Sequence, residues 1–132
     1  MTGAMATLRQ ELRDWLGLDH VFFVHSGSAA LKLAIGALSG TPGHIGMPAL
    51  SCWTLTQAVL ECGLVPEYLD VDDRIGLSVP TRETAGVPVV SVAPWGILPA
   101  MPTAFGEAPL ILDLSLSVGV PLPPSIRDRL AA

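Results

Sequence analysis

The sequence has 132 residues, half of them apolar and only 14% charged, with a net charge of −5 at neutral pH. That length holds one core and hardly two, and the apolar content excludes a disordered chain. The seven basic residues (Arg9, Arg13, Lys32, Arg74, Arg82, Arg127 and Arg129) are scattered, so no patch exists to neutralise a nucleic-acid backbone.

An ordinary soluble chain carries about 25% charged residues. The shortage here predicts apolar surface that a partner covers. Gly, Pro or Lys interrupts the apolar stretches well before eighteen residues, and the N-terminal segment carries Arg and Glu rather than an export-signal core. We therefore expect a soluble, cytoplasmic protein with no membrane span. Cys52 and Cys62, ten apart, form neither a disulfide framework nor a metal-ligand spacing, and reduced thiols suit that compartment. The chain has a single lysine, Lys32.

Leu8, Leu12, Trp15 and Leu16 recur at helical spacing and Gly17 follows as a stop, predicting an amphipathic leading helix. Val21-Phe22-Phe23-Val24 reads as a buried strand, His25-Ser26-Gly27-Ser28 as a tight turn, and Ala29 to Leu38 as a helix. Strand, helix and strand follow at Ile45 to Met47, Thr54 to Glu61 and Val65 to Val71. Val87 to Val92 and Leu110 to Leu114 read as further strands, with a Pro-rich connection or short helix at Pro99 to Phe105 between them. Unbroken apolar strands alternating with helices predict an α/β, three-layer sandwich with a mostly parallel sheet of about five strands. The expected organisation is one domain over 1–132: the leading helix at 1–20, an α/β core at 21–119 and a Pro-rich tail at 120–132.

Three constellations carry chemistry. In Ser26-Gly27-Ser28 the glycine permits a sharp turn, the helix that follows offers free N–H groups, and two hydroxyls add donors. A phosphate cradle and an ordinary N-cap both fit those residues. Asp113, at the carboxyl end of Leu110-Ile111-Leu112, sits where open α/β sheets bind ligands, able to hold a ring nitrogen protonated or to ligate a metal; capping of the next turn fits equally. Cys52 with His25 or His44 would make a nucleophile and base if the fold joined them, although packing is the ordinary role of such a thiol. Trp53 and Trp95, each just after a predicted strand, suit either stacking on a planar ligand or packing.

The order of the pieces says more. Val24-His25-Ser26-Gly27-Ser28-Ala29-Ala30-Leu31, then Pro48-Ala49-Leu50-Ser51-Cys52, Gln57-Ala58-Val59, Gly63-Leu64-Val65-Pro66, Asp70-Val71-Asp72, Val92-Ala93-Pro94-Trp95-Gly96 and Leu112-Asp113-Leu114-Ser115 resemble the DegT/DnrJ/EryC1/StrS aminotransferases. The match runs over roughly Val21 to Gly119, the front of the fold-type-I large domain. The resemblance implies pyridoxal phosphate as cofactor. Ser26, Gly27 and Ser28 take the place of the segment that receives its phosphate, Asp113 that of the acid on the pyridinium nitrogen, and Trp53 stands one residue from the stacking aromatic. It implies no metal.

Against that pattern, Ala93 replaces a common histidine, Ala100 a common acid and Leu116 a common glutamine or histidine. The family's Schiff-base lysine comes some tens of residues beyond the Asp113 motif, and Lys32 does not match it. Two strands that separate the first and fifth strands in fold type I also have no counterpart. The expectation is a non-catalytic binding or assembly module, with no catalytic residue of its own. The alternative is the front-half subunit of a split pyridoxal-phosphate sugar aminotransferase whose partner supplies the lysine. Either a homo-oligomer or a hetero-partner fills the place of the missing strands, or Val21 to Val24 closes against Leu110 to Leu114.

Overall fold

The computed structural model describes residues 3–38, 43–73, 75–77, 86–99 and 108–131, with side chains described as far as 128. In chain order the elements are α1 (Gly3–Leu16), α2 (Gly27–Gly36), β1 (His44–Pro48), α3 (Trp53–Glu61), β2 (Val65–Leu69), β3 (Val89–Val92), a 3-10 turn (Pro94–Gly96), β4 (Leu110–Asp113) and α4 (Pro124–Ala131). Two compact units emerge, one formed by Met1–Phe23 with Gly119–Ala132 and the other by Val24–Val118.

The larger unit is built on a four-stranded sheet of order β2-β1-β3-β4, with every neighbouring pair parallel. The crossover helix α3, which joins the parallel strands β1 and β2, lies on one face of the sheet, and α2 packs beside it. There Ile45, Met47 and Val90 from the sheet pack with Ile35 of α2 and Leu55, Ala58 and Val59 of α3, all at 1% exposure or less. Burying each large side chain in this cluster contributes about 1.5–3 kcal/mol. Because side chains alternate along a strand, Val89 belongs to a second, smaller cluster with Leu77, against which Leu69 and Leu110 pack. The bridge between Val71 and Leu77 closes the turn that brings Leu77 there.

The sheet fixes which backbone groups are free. The Val89 N–H donates to the Pro109 carbonyl and the Ala93 N–H to the Asp113 carbonyl, each at 2.9 Å. Since successive residues of a strand point their backbone groups to opposite sides, Leu110 and Leu112 direct theirs to the outer edge. Among the described residues no strand lies beyond β4.

The α/β class and the parallel sheet are as expected; among the described residues the sheet has four strands, where about five were expected. Val21 to Val24 is not a strand and does not pair with β4; it is irregular, with Phe22 84% exposed. A strand exists through its ladder, and an apolar run supplies no ladder partner by itself. The Pro-rich tail also carries a helix that was not expected: after Pro121 and Pro123, Pro124 opens α4, a position that proline tolerates because its absent N–H has no intrahelical acceptor there. The expected segment at 99–105 lies outside the described residues beyond Pro99, as does Ala100.

In the smaller unit, α1 carries Arg13 in its last turn and its Trp15 Nε1–H donates to the Val120 carbonyl at 2.9 Å. The Arg9 guanidinium lies over the Phe23 ring at 5.4 Å. Among the described residues no helix is long and apolar enough to cross a membrane.

Candidate functional site

Three pieces of local structure meet at the carboxyl ends of the parallel strands, where open α/β sheets form their crevices. The first is the start of α2. Ser26 is extended, with φ −160° and ψ 160°, and its Oγ accepts the Ala29 N–H at 3.2 Å while its carbonyl accepts the Ala30 N–H. It is an N-cap. The first helical turn leaves the Gly27 and Ser28 N–H groups with no intrahelical acceptor, and the helix dipole places positive potential there. The second piece is the start of α3, where Cys52 is an N-cap residue that makes no side-chain cap bond. The third is the end of β4, where Asp113 Oδ1 accepts the Ser115 N–H at 2.9 Å, turning the chain sharply after the strand.

These pieces enclose one cavity of about 420 Å³, to which α2 contributes Gly27 and Ser28, α3 Thr54, the loop before it Cys52, and the end of β4 Asp113 and Ser115. Its remaining wall is apolar: Ala30, Leu31 and Ala34 along α2, and Ile111 and Leu112 on β4. One end therefore offers N–H and hydroxyl donors beside a positive helix end, and the other a carboxylate. A small molecule with an anionic end and a donor on a planar or apolar body matches that distribution.

Gly27, Ser28 and Asp113 are thus brought together. Ser26 contributes through the cap and is not among the lining residues, and Trp53, 69% exposed at the first turn of α3, lines neither described cavity. Cys52 and His44 are kept apart: His44 opens β1 and Cys52 follows its other end, so the strand of five residues, about 3.3 Å each, separates them. His44 Nδ1 instead lies 3.8 Å from Glu67 Oε1 on the neighbouring strand. His25 lines neither cavity. Lys32 lies on α2, ion-paired with Glu61 of α3, and does not line either cavity. Among the described residues no group of His, Cys, Asp and Glu could hold a metal ion.

A second cavity of about 230 Å³ adjoins the first, sharing Cys52, Asp113 and Ser115. Sequence reasoning did not find it, nor the places of Thr54 and Ser115. Thr54 sits two residues past an N-cap, a position at which a hydroxyl faces the space before a helix, and Ser115 follows Asp113 at the Asx-turn spacing; both signals exist but are too common to select a site.

Comparison with known proteins supplies the family. A sequence model of the DegT/DnrJ/EryC1/StrS aminotransferase family matches residues 3–85. The MosB protein of Rhizobium meliloti is 29% identical over 86 residues, which is 64% of this chain and 17% of MosB. Among solved structures, a DegT DnrJ EryC1 StrS aminotransferase from Brucella abortus superposes with a TM-score of 0.76 at 23% identity, covering 90% of this chain and 37% of that one. A 3-amino-5-hydroxybenzoic acid synthase gives 0.72 at 24% identity over 86% and 32%. A GDP-4-keto-6-deoxymannose-3-dehydratase gives 0.71 at 23% over 90% and 35%. This chain therefore spans about a third of those solved relatives and less of the curated one. The family match covers more than half of the chain, and the chain belongs to the DegT/DnrJ/EryC1/StrS aminotransferase family.

Proposed function

We propose that this chain is a pyridoxal-phosphate-binding module of the family that does not transaminate by itself. The observation that carries the reading is the single cavity lined by Gly27, Ser28 and Asp113. Its donor set fits the cofactor: the N–H groups and the Ser28 hydroxyl at the start of α2 suit a phosphate dianion, and the Asp113 carboxylate suits a protonated ring nitrogen. When bound, the cofactor supplies an electron sink, provided that its ring nitrogen keeps a proton.

The chain's own residues then have defined tasks. Ser26 holds the first turn of α2 in place through its bond to the Ala29 N–H, so the donors of that turn are aimed before a ligand arrives. Asp113 is itself oriented by the Ser115 N–H and holds the proton at the ring nitrogen. The apolar lining, Leu31 and Ala34 with Ile111, offers the ring a nonpolar wall. No amine lines the cavity, because the single lysine is engaged with Glu61, so the amine that transamination needs must come from outside these residues. Reversible binding is what remains.

The test is equilibrium binding of pyridoxal phosphate followed by absorbance. Binding is expected to be reversible, to be competed by inorganic phosphate, to weaken about tenfold or more in Asp113→Asn, and to leave no cofactor attached after borohydride treatment. Pyridoxal phosphate binding no better than inorganic phosphate, or indifferent to Asp113→Asn, would overturn the reading.

A second reading is favoured by the outward-facing backbone of Leu110 and Leu112 on β4, beyond which no strand lies among the described residues: this is the front half of a split aminotransferase, and a further polypeptide adds strands there and brings the lysine. Mixing the chain with the complementary segment of a DegT-type aminotransferase and measuring mass by light scattering decides it. A one-to-one complex that retains cofactor after borohydride supports it; a homo-oligomer that ignores the segment removes it and leaves an assembly module.

A further inference from the structure

We infer that β4 is a self-association edge: a second copy of this chain pairs its own β4 against it, antiparallel, about a two-fold axis at Ile111, and the two sheets become one. The inference goes beyond the cofactor reading and does not rest on it.

Among the described residues β2 and β4 are the outer strands of the sheet, and they differ. On β2 the Val65 N–H donates to the Gly43 carbonyl and the Leu69 carbonyl accepts the Ala49 N–H. Val65, Glu67 and Leu69 therefore turn their backbone groups towards β1, and Pro66 and Tyr68 turn theirs outward. Pro66 has no N–H to offer, and a proline at such a position guards a sheet edge against further pairing. β4 has no such guard. Its outward groups belong to Leu110 and Leu112, and Leu110-Ile111-Leu112 contains no proline, glycine or charge. Every residue of β4 is only half-buried, whereas Val89, Val90 and Ser91 of β3 are buried. An unguarded apolar strand of this kind is a template for another strand.

The outward groups fit a copy of themselves. In an antiparallel pair, opposed residues exchange both backbone bonds when their groups point at each other and none when they point away. With the axis at Ile111, Leu110 faces the second copy's Leu112 and Leu112 faces the second copy's Leu110. Every outward N–H and carbonyl of the two strands then has a partner. Moving the axis to Leu110 or Leu112 sets residues outside β4 opposite residues within it. Parallel pairing of two like strands cannot be two-fold symmetric, because its bonds run from each residue to the neighbours of the one opposite, and it leaves the assembly open.

Side chains and charge agree with that register. An axis perpendicular to the sheet keeps each face on its own side. Ile111, which packs against the cluster of Ile35, Leu55 and Val90, meets the second copy's Ile111 and continues that core. Leu110, which packs against Leu77 and Val89, meets the second copy's Leu112 on the other face. A chain of net charge −5 resists self-association where acids meet; here Asp113 falls opposite the second copy's Pro109, so no acid faces an acid. On the Ile111 side α2 carries one charge, Lys32, which is engaged with Glu61 of α3. Ala30, Leu33 and Ala37, exposed on α2 and its C-cap, are apolar, and a helix apolar all round is ordinarily covered. The two copies of α2 flank the seam, where alanines let them approach. Their contact enlarges a seam of four residues, which by itself falls short of the roughly 800 Å² per partner that a stable dimer buries.

The experiment uses the full chain with no pyridoxal phosphate and no other polypeptide, so its outcome is independent of cofactor binding. Light scattering from about 1 to 100 µM is expected to show a dimer. Leu112→Pro deletes an N–H that the seam uses in both copies, and an outer strand tolerates the ring; it is expected to raise the dimer Kd at least about tenfold. Val65→Lys, at the exposed start of β2, leaves the Kd unchanged. In a Cys52→Ser, Cys62→Ser background, Ile111→Cys places two thiols on opposed Cα atoms about 4.5 Å apart, within disulfide reach. Diamide is expected to join the copies there, and to leave Val65→Cys in the same background unlinked. Circular dichroism checks each variant's fold; if Leu112→Pro disturbs it, the Ile111→Cys link carries the test. A monomer at about 100 µM, a dimer indifferent to a folded Leu112→Pro, a dimer in which Ile111→Cys stays unlinked, or a monomer that pairs only with the complementary segment of a DegT-type aminotransferase, would each overturn the inference.

Discussion

Lys32 on α2 is ion-paired with Glu61 on α3, so the only lysine of the sequence ties the two helices together at the protein surface. The hydrogen bond from Lys32, and after it the one from Gln57, holds the Glu61 carboxyl below its ordinary range against a smaller opposing effect of burial. A folded carboxyl with a lowered pKa contributes stability that is complete above its unfolded pKa and is lost as pH falls through the folded value. Lys32→Gln is therefore expected to lower Tm slightly at pH 7, as exposed pairs do, and the difference is expected to fade as pH falls through the folded carboxyl's value. Melts of both proteins across that range, at low and high salt, check it; a Tm difference that is independent of pH refutes it.

Ser26→Ala removes the N-cap of α2 while leaving the cavity wall intact, since Ser26 is not part of that wall. The cost is expected to be about 1 kcal/mol, with Ser26→Gly losing only a few tenths and Ser26→Asp losing little. Urea unfolding of the three variants checks the order. If Ser26→Gly is the worst of them, the cap bond to Ala29 is not what holds the turn.

How far the sequence carried can be read at particular residues. The helices α2 and α3 and the place of Asp113 at the end of β4 were legible because a 3.6-residue period and an apolar run ended by an acid are local signals. Val21-Phe22-Phe23-Val24 carries the same apolar signal as β3, yet it forms no ladder, because pairing depends on a neighbour and not on the run. α4 was hidden by the prolines before it. The meeting of Gly27 and Ser28 with Asp113 follows from the packing of α2 beside α3 and from the place of ligand crevices at the carboxyl ends of parallel strands. That of Trp95 with Leu55 and Ile75 around the second cavity does not, since it depends on two left-handed residues, Ile75 and Trp95, in turns whose sequences give no sign of them.

Ser117→Ala should be costly for a small change. The hydroxyl is buried and bridges the Ala93 carbonyl and the Gly96 N–H, and its removal leaves buried backbone groups without partners, a loss of about 1–3 kcal/mol. Trp95→Asn in contrast is expected to leave stability unchanged or raise it, because asparagine tolerates positive φ and the ring is not part of the core. Thermal melts of the two variants side by side check the contrast, and comparable losses in both would show that Trp95 is held by its packing.

Gly46 lies in the middle of β1, fully enclosed, and its N–H donates to the Pro88 carbonyl at 2.8 Å. A Cβ there would stand 3.0 Å from Leu69 Cδ1 and 3.5 Å from Val89 Cγ2. The first contact is too close, but it is with the end of a flexible side chain; the second is ordinary. Gly46→Ala thus sets an overpacking cost of about 1–3 kcal/mol against the 0.5–1 kcal/mol or so that alanine gains over glycine in a strand, and a net loss of about 1 kcal/mol is expected. Because Leu69 is the group that must move, the loss should disappear in a Leu69→Ala background, where Gly46→Ala becomes neutral or stabilising. A double-mutant cycle by urea unfolding should return a coupling of about 1 kcal/mol between the two positions. The strand also leads directly into the loop holding Cys52, and the Ala49 N–H that follows it donates to the Leu69 carbonyl at 2.8 Å, so a β1 displaced by the new methyl would carry Cys52 and Thr54 with it. Reduced pyridoxal phosphate binding in Gly46→Ala, restored by Leu69→Ala, would locate the control of the cavity in β1; additive effects on stability would show that Leu69 already has room to yield.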